Sequence, residues 1–118
     1  MKYILIFFVL LTFTLNAQDS IKPKFEKEGE LTKAVFYHDN AEIAQTGYFK
    51  NEKRHGNWIS YYPSGKKSAM GTYKSGLKTG QWFFWSENDL IEVIYKENKI
   101  INVLRWNSSE KKLIAKNN

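Results

Sequence analysis

The chain has no cysteine. Disulfides, zinc–thiolate centres and thiol nucleophiles are therefore excluded together. It has only two histidines, His38 and His55, and two prolines, Pro23 and Pro63. Acidic residues are in deficit, 12 against 18 Lys and Arg, for a net charge of +6. That imbalance favours acidic partners or surfaces without specifying one. Only one long apolar run is present, Tyr3 to Leu15, with Lys2 before it and Ala17 after it. Its layout is that of a secretory signal peptide. A membrane-spanning helix needs ~20 apolar residues, which leaves an uncleaved anchor as the less favoured alternative. No cysteine follows the run, so a lipid-modified N-terminal cysteine is excluded.

Cleavage after Ala17 leaves 118 − 17 = 101 residues carrying 17 − 12 = +5 charges, room for one domain at most. The expected location is exported: periplasmic, envelope-associated or extracellular. Export permits disulfides, and this chain can form none, so packing alone must hold it. Four of the 19 aromatic residues lie in the leader, and the other 15 have to supply much of that packing.

Those rings are periodic. Tyr37, Tyr61 and Trp85 are 24 apart, as are Trp58, Trp82 and Trp106. Gly47 and Gly71, Gly56 and Gly80, and Phe49 and Tyr73 share the spacing. Tyr95 follows Tyr73 by 22, so two residues are lost near 90–94, and the position of Trp106 implies that they are regained before it. Each unit reads as two strands. "NWISYY" is aromatic and β-branched, "PSGK" turns it, "KSAMGTYK" runs extended, and "SGLKTG" turns again. The expected fold is all-β: an antiparallel meander of 24-residue hairpin repeats in a single-layer twisted sheet. About seven strands are expected, near 31–37, 42–50, 57–62, 67–74, 81–86, 90–96 and 99–106. The organisation is then signal peptide 1–17, flexible lead-in 18–30, repeat domain 31–106 and tail 107–118, the tail being a helical turn or an eighth strand.

Alternation along a strand puts Trp58 on one face and Tyr61 on the other, and likewise separates Trp82 from Phe83 and Trp85. Gly47, Gly56, Gly71 and Gly80 are expected to be structural, leaving room for rings to lie over the backbone. "GYFKNEKRHGNWISYYPSGKKSAMGTYKSGLKTGQWFFW" resembles the MORN repeat, and more closely the bacterial variant in the YwqK-type antitoxin family. The resemblance rests on Gly71-x-Tyr73, a turn at Gly76, Gly80-x-Trp82 and Trp85, and it covers about 36–106. It implies a β-hairpin scaffold and, through the family name, antitoxin action, which fits poorly with an exported chain.

No constellation argues for an enzyme. "GTYKSGLK" lacks the lysine and the following helix of a phosphate-binding loop. An adenylyltransferase would need a βαβ fold and a His-x-Gly-His motif, whereas Asn57 follows His55-Gly56. Ser60, Ser64 and Ser68 have no His–Asp pair to activate them. No catalytic residue, metal ligand, cofactor or nucleic-acid partner is expected. The exposed aromatic faces (Trp58, Tyr61, Trp82, Phe83, Trp85) are expected to bind another protein or a second copy. The alternative is an anionic lipid or polyanionic glycan. In a meander the turns 50–55, 74–79 and 96–99 gather at one end with 7 − 2 = +5 charges, and 38–42, 63–67 and 86–89 at the other with 2 − 4 = −2. Lys53, Arg54, Lys78 and Lys99 are the candidate anion ligands at the basic end. The bland alternative is that these turns are simply solvated.

Overall fold

The computed structural model describes residues 20–107 and, as backbone, the strand 112–116. The leader at 1–17 lies outside the described residues. Nine strands form one sheet in strict sequence order, all neighbours antiparallel. They are β1 Lys24–Glu28, β2 Leu31–Tyr37, β3 Ile43–Lys50, β4 Lys53–Tyr61, β5 Lys67–Lys74, β6 Leu77–Trp85, β7 Asp89–Lys96, β8 Lys99–Asn107 and β9 Lys112–Lys116. The sheet is open and single-layered, and no helix is present among the described residues.

Two strands lie beyond the seven expected. Residues 24–28 are not an irregular lead-in: β1 pairs with β2 from Glu28↔Leu31 to Lys24↔Val35. Phe25 sets its ring edge-on to Phe36 at 6.1 Å, which fixes this strand to the sheet. Lys24, Glu26, Lys27 and Glu28 make the free edge charged, a standard protection against edge-to-edge pairing. At the other end β9 is a strand rather than a helical turn.

The hairpins at the basic end are tighter than the sequence suggested. Asn51 and Glu52, Ser75 and Gly76, and Glu97 and Asn98 all have positive φ, the pattern of two-residue type I′ turns. Strands therefore resume at Lys53, Leu77 and Lys99, about four residues earlier than expected for the first two. Backbone bonds tie each such hairpin to the one before it, from Gly76 N to Arg54 O (2.8 Å) and from Asn98 N to Lys78 O (3.0 Å). At the opposite end side chains do the same work. His38 Nε2 bonds Tyr61 O at 2.7 Å, and the Tyr62 hydroxyl, 24 residues on, donates to Trp85 O.

Burial falls on a single line across the sheet: Ala34, Gly47, Trp58, Gly71, Trp82 and Val93. Trp58 is 1% exposed and Trp82 4%. The opening of each Gly-x-Trp has a backbone cause. Gly56 and Gly80 have φ of +73° and +67° with open space where a side chain would go. They do not clear room for a ring, as expected from the sequence; they supply a left-handed conformation. That conformation opens a bulge. Between Met70↔Phe83 and Thr72↔Thr79 the register shifts, so that Gly80, Gln81 and Trp82 all lie opposite Gly71. The surplus backbone swings the indole over the facing strand. A β-carbon on Gly71 would overlap Cδ2 and Cε2 of Trp82, and one on Gly47 would overlap the same atoms of Trp58. Each indole N–H then donates to a backbone carbonyl beside its glycine, Trp58 to Tyr48 O (3.0 Å) and Trp82 to Thr72 O (3.2 Å).

The two glycine types should therefore respond differently. Trp82→Ala should cost about 3–5 kcal/mol, and Gly71→Ala about 3 kcal/mol through overpacking. The double variant should fall well short of their sum, because the ring that the added methyl group would strike is gone. Gly80→Ala should cost about 1–2 kcal/mol from left-handed strain alone, with Gly80→Asn milder. Denaturant melts of the set decide this; additive losses for the Trp82/Gly71 pair would refute ring-over-backbone packing.

Candidate functional site: an unpartnered apolar face

The two faces of the sheet differ. One carries a ladder of rings in which Phe49, Tyr73 and Tyr95 alternate with the two buried indoles. Phe49 and Tyr73 meet Trp58 edge-on at 5.1 and 6.1 Å, and Tyr73 and Tyr95 meet Trp82 edge-on at 4.9 and 6.0 Å. Edge-to-face pairs add roughly 0.5–1.5 kcal/mol each beyond their burial. Trp58 and Trp82, expected as partner-binding rings, are thus consumed by the ladder and offer almost no surface.

The basic candidates also divide. Arg54 and Lys78 are strand residues, so their side chains lie along the ladder face rather than extending from the end of the sheet. The Arg54 guanidinium sits over the Trp58 and Tyr73 rings at 5.0 and 5.6 Å. Lys78 Nζ sits over Trp82 and Tyr95 at 5.3 and 5.2 Å. The Lys53 stem packs on Gly76, and Lys99 is exposed at the start of β8. Lys50 lies 3.8 Å from Glu30, which the β1–β2 hairpin brings to this same end.

The opposite face is different in kind. Directly paired residues share a face, so Ile59, Met70, Phe83, Glu92 and Leu104 form one row across it. Trp85, Leu90 and Trp106 form a second row, nearer the acidic turns. Phe83 and Trp85 stack at 5.8 Å with rings 20° apart. Trp85 separates two recesses. One, of about 1010 Å³, is lined by Tyr62, Pro63, Lys66, Lys67 and Glu87. The other, of about 430 Å³, is lined by Leu90 and Trp106 together with Glu87, Asn88 and Asp89. Of the five rings expected to contact a partner, this face holds Tyr61, Phe83 and Trp85. Leu90, Leu104 and Trp106 join them without having been singled out.

Trp106 is here because the repeat changes. The spacing of 24 from Trp82 suggested that the two lost residues are regained before Trp106. They are not: β8 begins 22 residues after β6, just as β7 begins 22 after β5. Trp106 thus corresponds to Phe84 and Leu104 to Trp82. The β7–β8 ladder shifts by only one residue between Ile94 and Tyr95, where β3–β4 and β5–β6 shift by two. A one-residue bulge inverts side-chain alternation and a two-residue bulge preserves it. Leu104 and Trp106 therefore cross to the face opposite the ladder, where Trp106 is 41% exposed. The sequence does carry the signal: Val93 stands where Gly71 did and Asn102 where Gly80 did, so the glycine pair behind the larger bulge is missing. Arg105 and Val103 go to the ladder face instead, Arg105 pairing with Asp89 at 2.5 Å.

Among the described residues no three His, Cys, Asp or Glu side chains converge as a metal site would require. His38 is tied to a carbonyl at one end, and His55 lies within β4 opposite Tyr48. Compared with protein-family models and with curated proteins, the chain matches none.

Arg54 and Lys78 cover rings, so their loss should register in stability. Arg54→Gln and Lys78→Gln should each cost about 0.5–1 kcal/mol. Lys53→Gln and Lys99→Gln should stay within about 0.5 kcal/mol of the parent. Chemical denaturation of the four single variants tests this; equal effects at all four would show that the cations do not cap the ladder.

Proposed function

We propose that this chain is an exported, non-enzymatic repeat module of MORN-like build that acts by binding another protein. The contact surface is the face carrying Phe83, Trp85, Leu90, Leu104 and Trp106. The supporting observation is the inverted alternation of β8, which gathers these apolar side chains on the face opposite the ladder. A contiguous apolar patch of a few hundred Å² on a small domain is the usual mark of an interaction site. Its composition suits that role: indole and phenyl rings are enriched at interface centres and charged side chains depleted. Across β6 to β8 the only charge in the two rows is Glu92, which accepts a hydrogen bond from Gln81 Nε2 at 3.2 Å, while Lys67 pairs with Tyr61 further along this face. Export is supported by Lys2, the apolar run to Leu15 and Ala17. The absence of cysteine suits a module stabilised by packing in either redox setting.

Site-specific photo-crosslinking in cells tests the reading. A photoreactive residue replacing Trp85 or Leu104 should give discrete protein adducts. The same probe replacing Ile100, exposed beside Tyr95 on the ladder face, should give none. Adducts of equal yield from both faces, or none from Trp85 and Leu104, would refute it.

A further inference from the structure

We infer that the recess between Phe25 and Phe49, at the β1–β3 end of the ladder face, takes the side chain of a lysine or arginine from a partner polypeptide. It lies on the other face from Trp85 and Leu104, five strands from Ile100, and it stands whether or not that other face binds a protein.

Repetition identifies the site. Two successive units each set a cation of their own over a pair of ladder rings. Arg54 lies over Trp58 and Tyr73, and Lys78 over Trp82 and Tyr95. In the unit that precedes them, 24 residues before Arg54, stands Glu30. Register agrees with the count. Thr32 pairs with Phe49 as Gly56 pairs with Tyr73 and Gly80 with Tyr95, and these lie two residues after Glu30, Arg54 and Lys78 respectively. A carboxylate thus holds the place of the cation.

The rings of this unit remain uncovered. Ala34 stands where Trp58 and Trp82 stand, and Phe25, paired with Ala34 from β1, supplies a ring there instead. Phe25, Glu30, Thr32, Phe49, Asn51 and Glu52 line a recess of about 350 Å³. Phe25 is 58% exposed. Among the described residues no cation lies over the ring of Phe25 or Phe49.

Charge and shape select the occupant. Glu52 has no ion-pair partner among the described residues, and Glu30 meets only Lys50, at 3.8 Å, with its own side chain 86% exposed. Lys27, opposite Thr32 in β1, is exposed and does not line the recess. Carboxylates alone would attract any cation, and phenyl rings alone any apolar group. A lysine or arginine satisfies both, because its alkyl stem covers ring surface while its head group sits over a ring face beside a carboxylate.

NMR titration of the isotope-labelled chain with acetyl-Gly-Lys-Gly-amide, its arginine counterpart and its norleucine counterpart tests the inference. The two cationic peptides should give saturable shifts at Phe25, Thr32 and Phe49 that weaken with added salt, and the norleucine peptide should give none. Glu52→Gly should weaken binding about three- to fivefold, the most that one exposed charge pair supplies. The same change should raise the melting temperature, because Glu52 holds a left-handed φ of +64° at the turn position that Gly76 fills in the next hairpin. Affinity lost while stability is gained cannot come from unfolding. Glu30→Lys supplies the cation within the chain, as Lys78 does in its unit, and should abolish the shifts. Asp39→Asn, at the opposite end of the strands, should leave them unchanged. No saturable shift with either cationic peptide, equal shifts with norleucine, or shifts undiminished in Glu30→Lys would overturn the inference. Crosslinking from Trp85 and Leu104 is independent of all these outcomes, so the two readings fail separately.

Discussion

The contact on which everything else depends is an indole lying flat over a glycine on the adjacent strand. A single-layer sheet has no second layer to bury its side chains, so it must find a core within its own thickness. Trp58 over Gly47 and Trp82 over Gly71 achieve this by replacing a missing side chain with a neighbour's ring. The indole lies low enough for its N–H to reach a main-chain carbonyl, which satisfies the polar atom that burial would otherwise strand. The rings of Phe49, Tyr73 and Tyr95 then close around it, and Arg54 and Lys78 cover the top. Burial, ring contacts and cation placement all follow from where the indole lies.

That placement depends in turn on Gly56 and Gly80. Their left-handed backbone admits two surplus residues into the β4 and β6 ladders, and an even surplus leaves the alternation of the strand intact. Tryptophan at the end of Gly-x-Trp is thereby lifted over the next strand while the residues beyond it keep their faces. β8 has neither glycine and gains one residue instead of two. An odd surplus exchanges the faces. One missing residue in a bulge thus ends the ladder and moves Leu104 and Trp106 to the opposite face, beside Phe83, Trp85 and Leu90. The buried ladder and the apolar rows opposite it are the same local event with different parity.

The fold was legible because its determinants are local and repeated. Turn residues, aromatic strands and a period of 24 gave the meander, and the antiparallel order follows from hairpins alone. The ends were less legible. β1 is five residues of mostly charged side chains with only Phe25 to mark it, and a charged edge strand reads as linker. The site was legible only in part, for three physical reasons. Exposure of a ring depends on its neighbours across strands: Trp58 and Trp85 look alike in the sequence, and only one faces a glycine. Arg54 and Lys78 read as turn residues because the type I′ turns are just two residues long and the strands begin sooner than composition suggests. Trp106 lies 24 residues after Trp82, but that spacing joins inequivalent positions, since the shortened unit has moved Phe84's place there.

Division of labour between the two faces explains why the cations lie where they do. A flat aromatic ladder left open would itself be an apolar patch. Arg54 and Lys78 lie over it with their charges toward water, so the ladder presents a hydrated cationic surface. The equivalent position in β8 is Ile100, with no charge to offer. There the ladder has already ended, and the ion pair of Arg105 with Asp89 puts charge on that face only at the far end of β8. The masking is local to the two indoles: Phe25 and Ile100, on the ladder face beyond them, stay 58% and 54% exposed. What each face presents is therefore set by which strand positions carry a cation and how many residues each bulge admits.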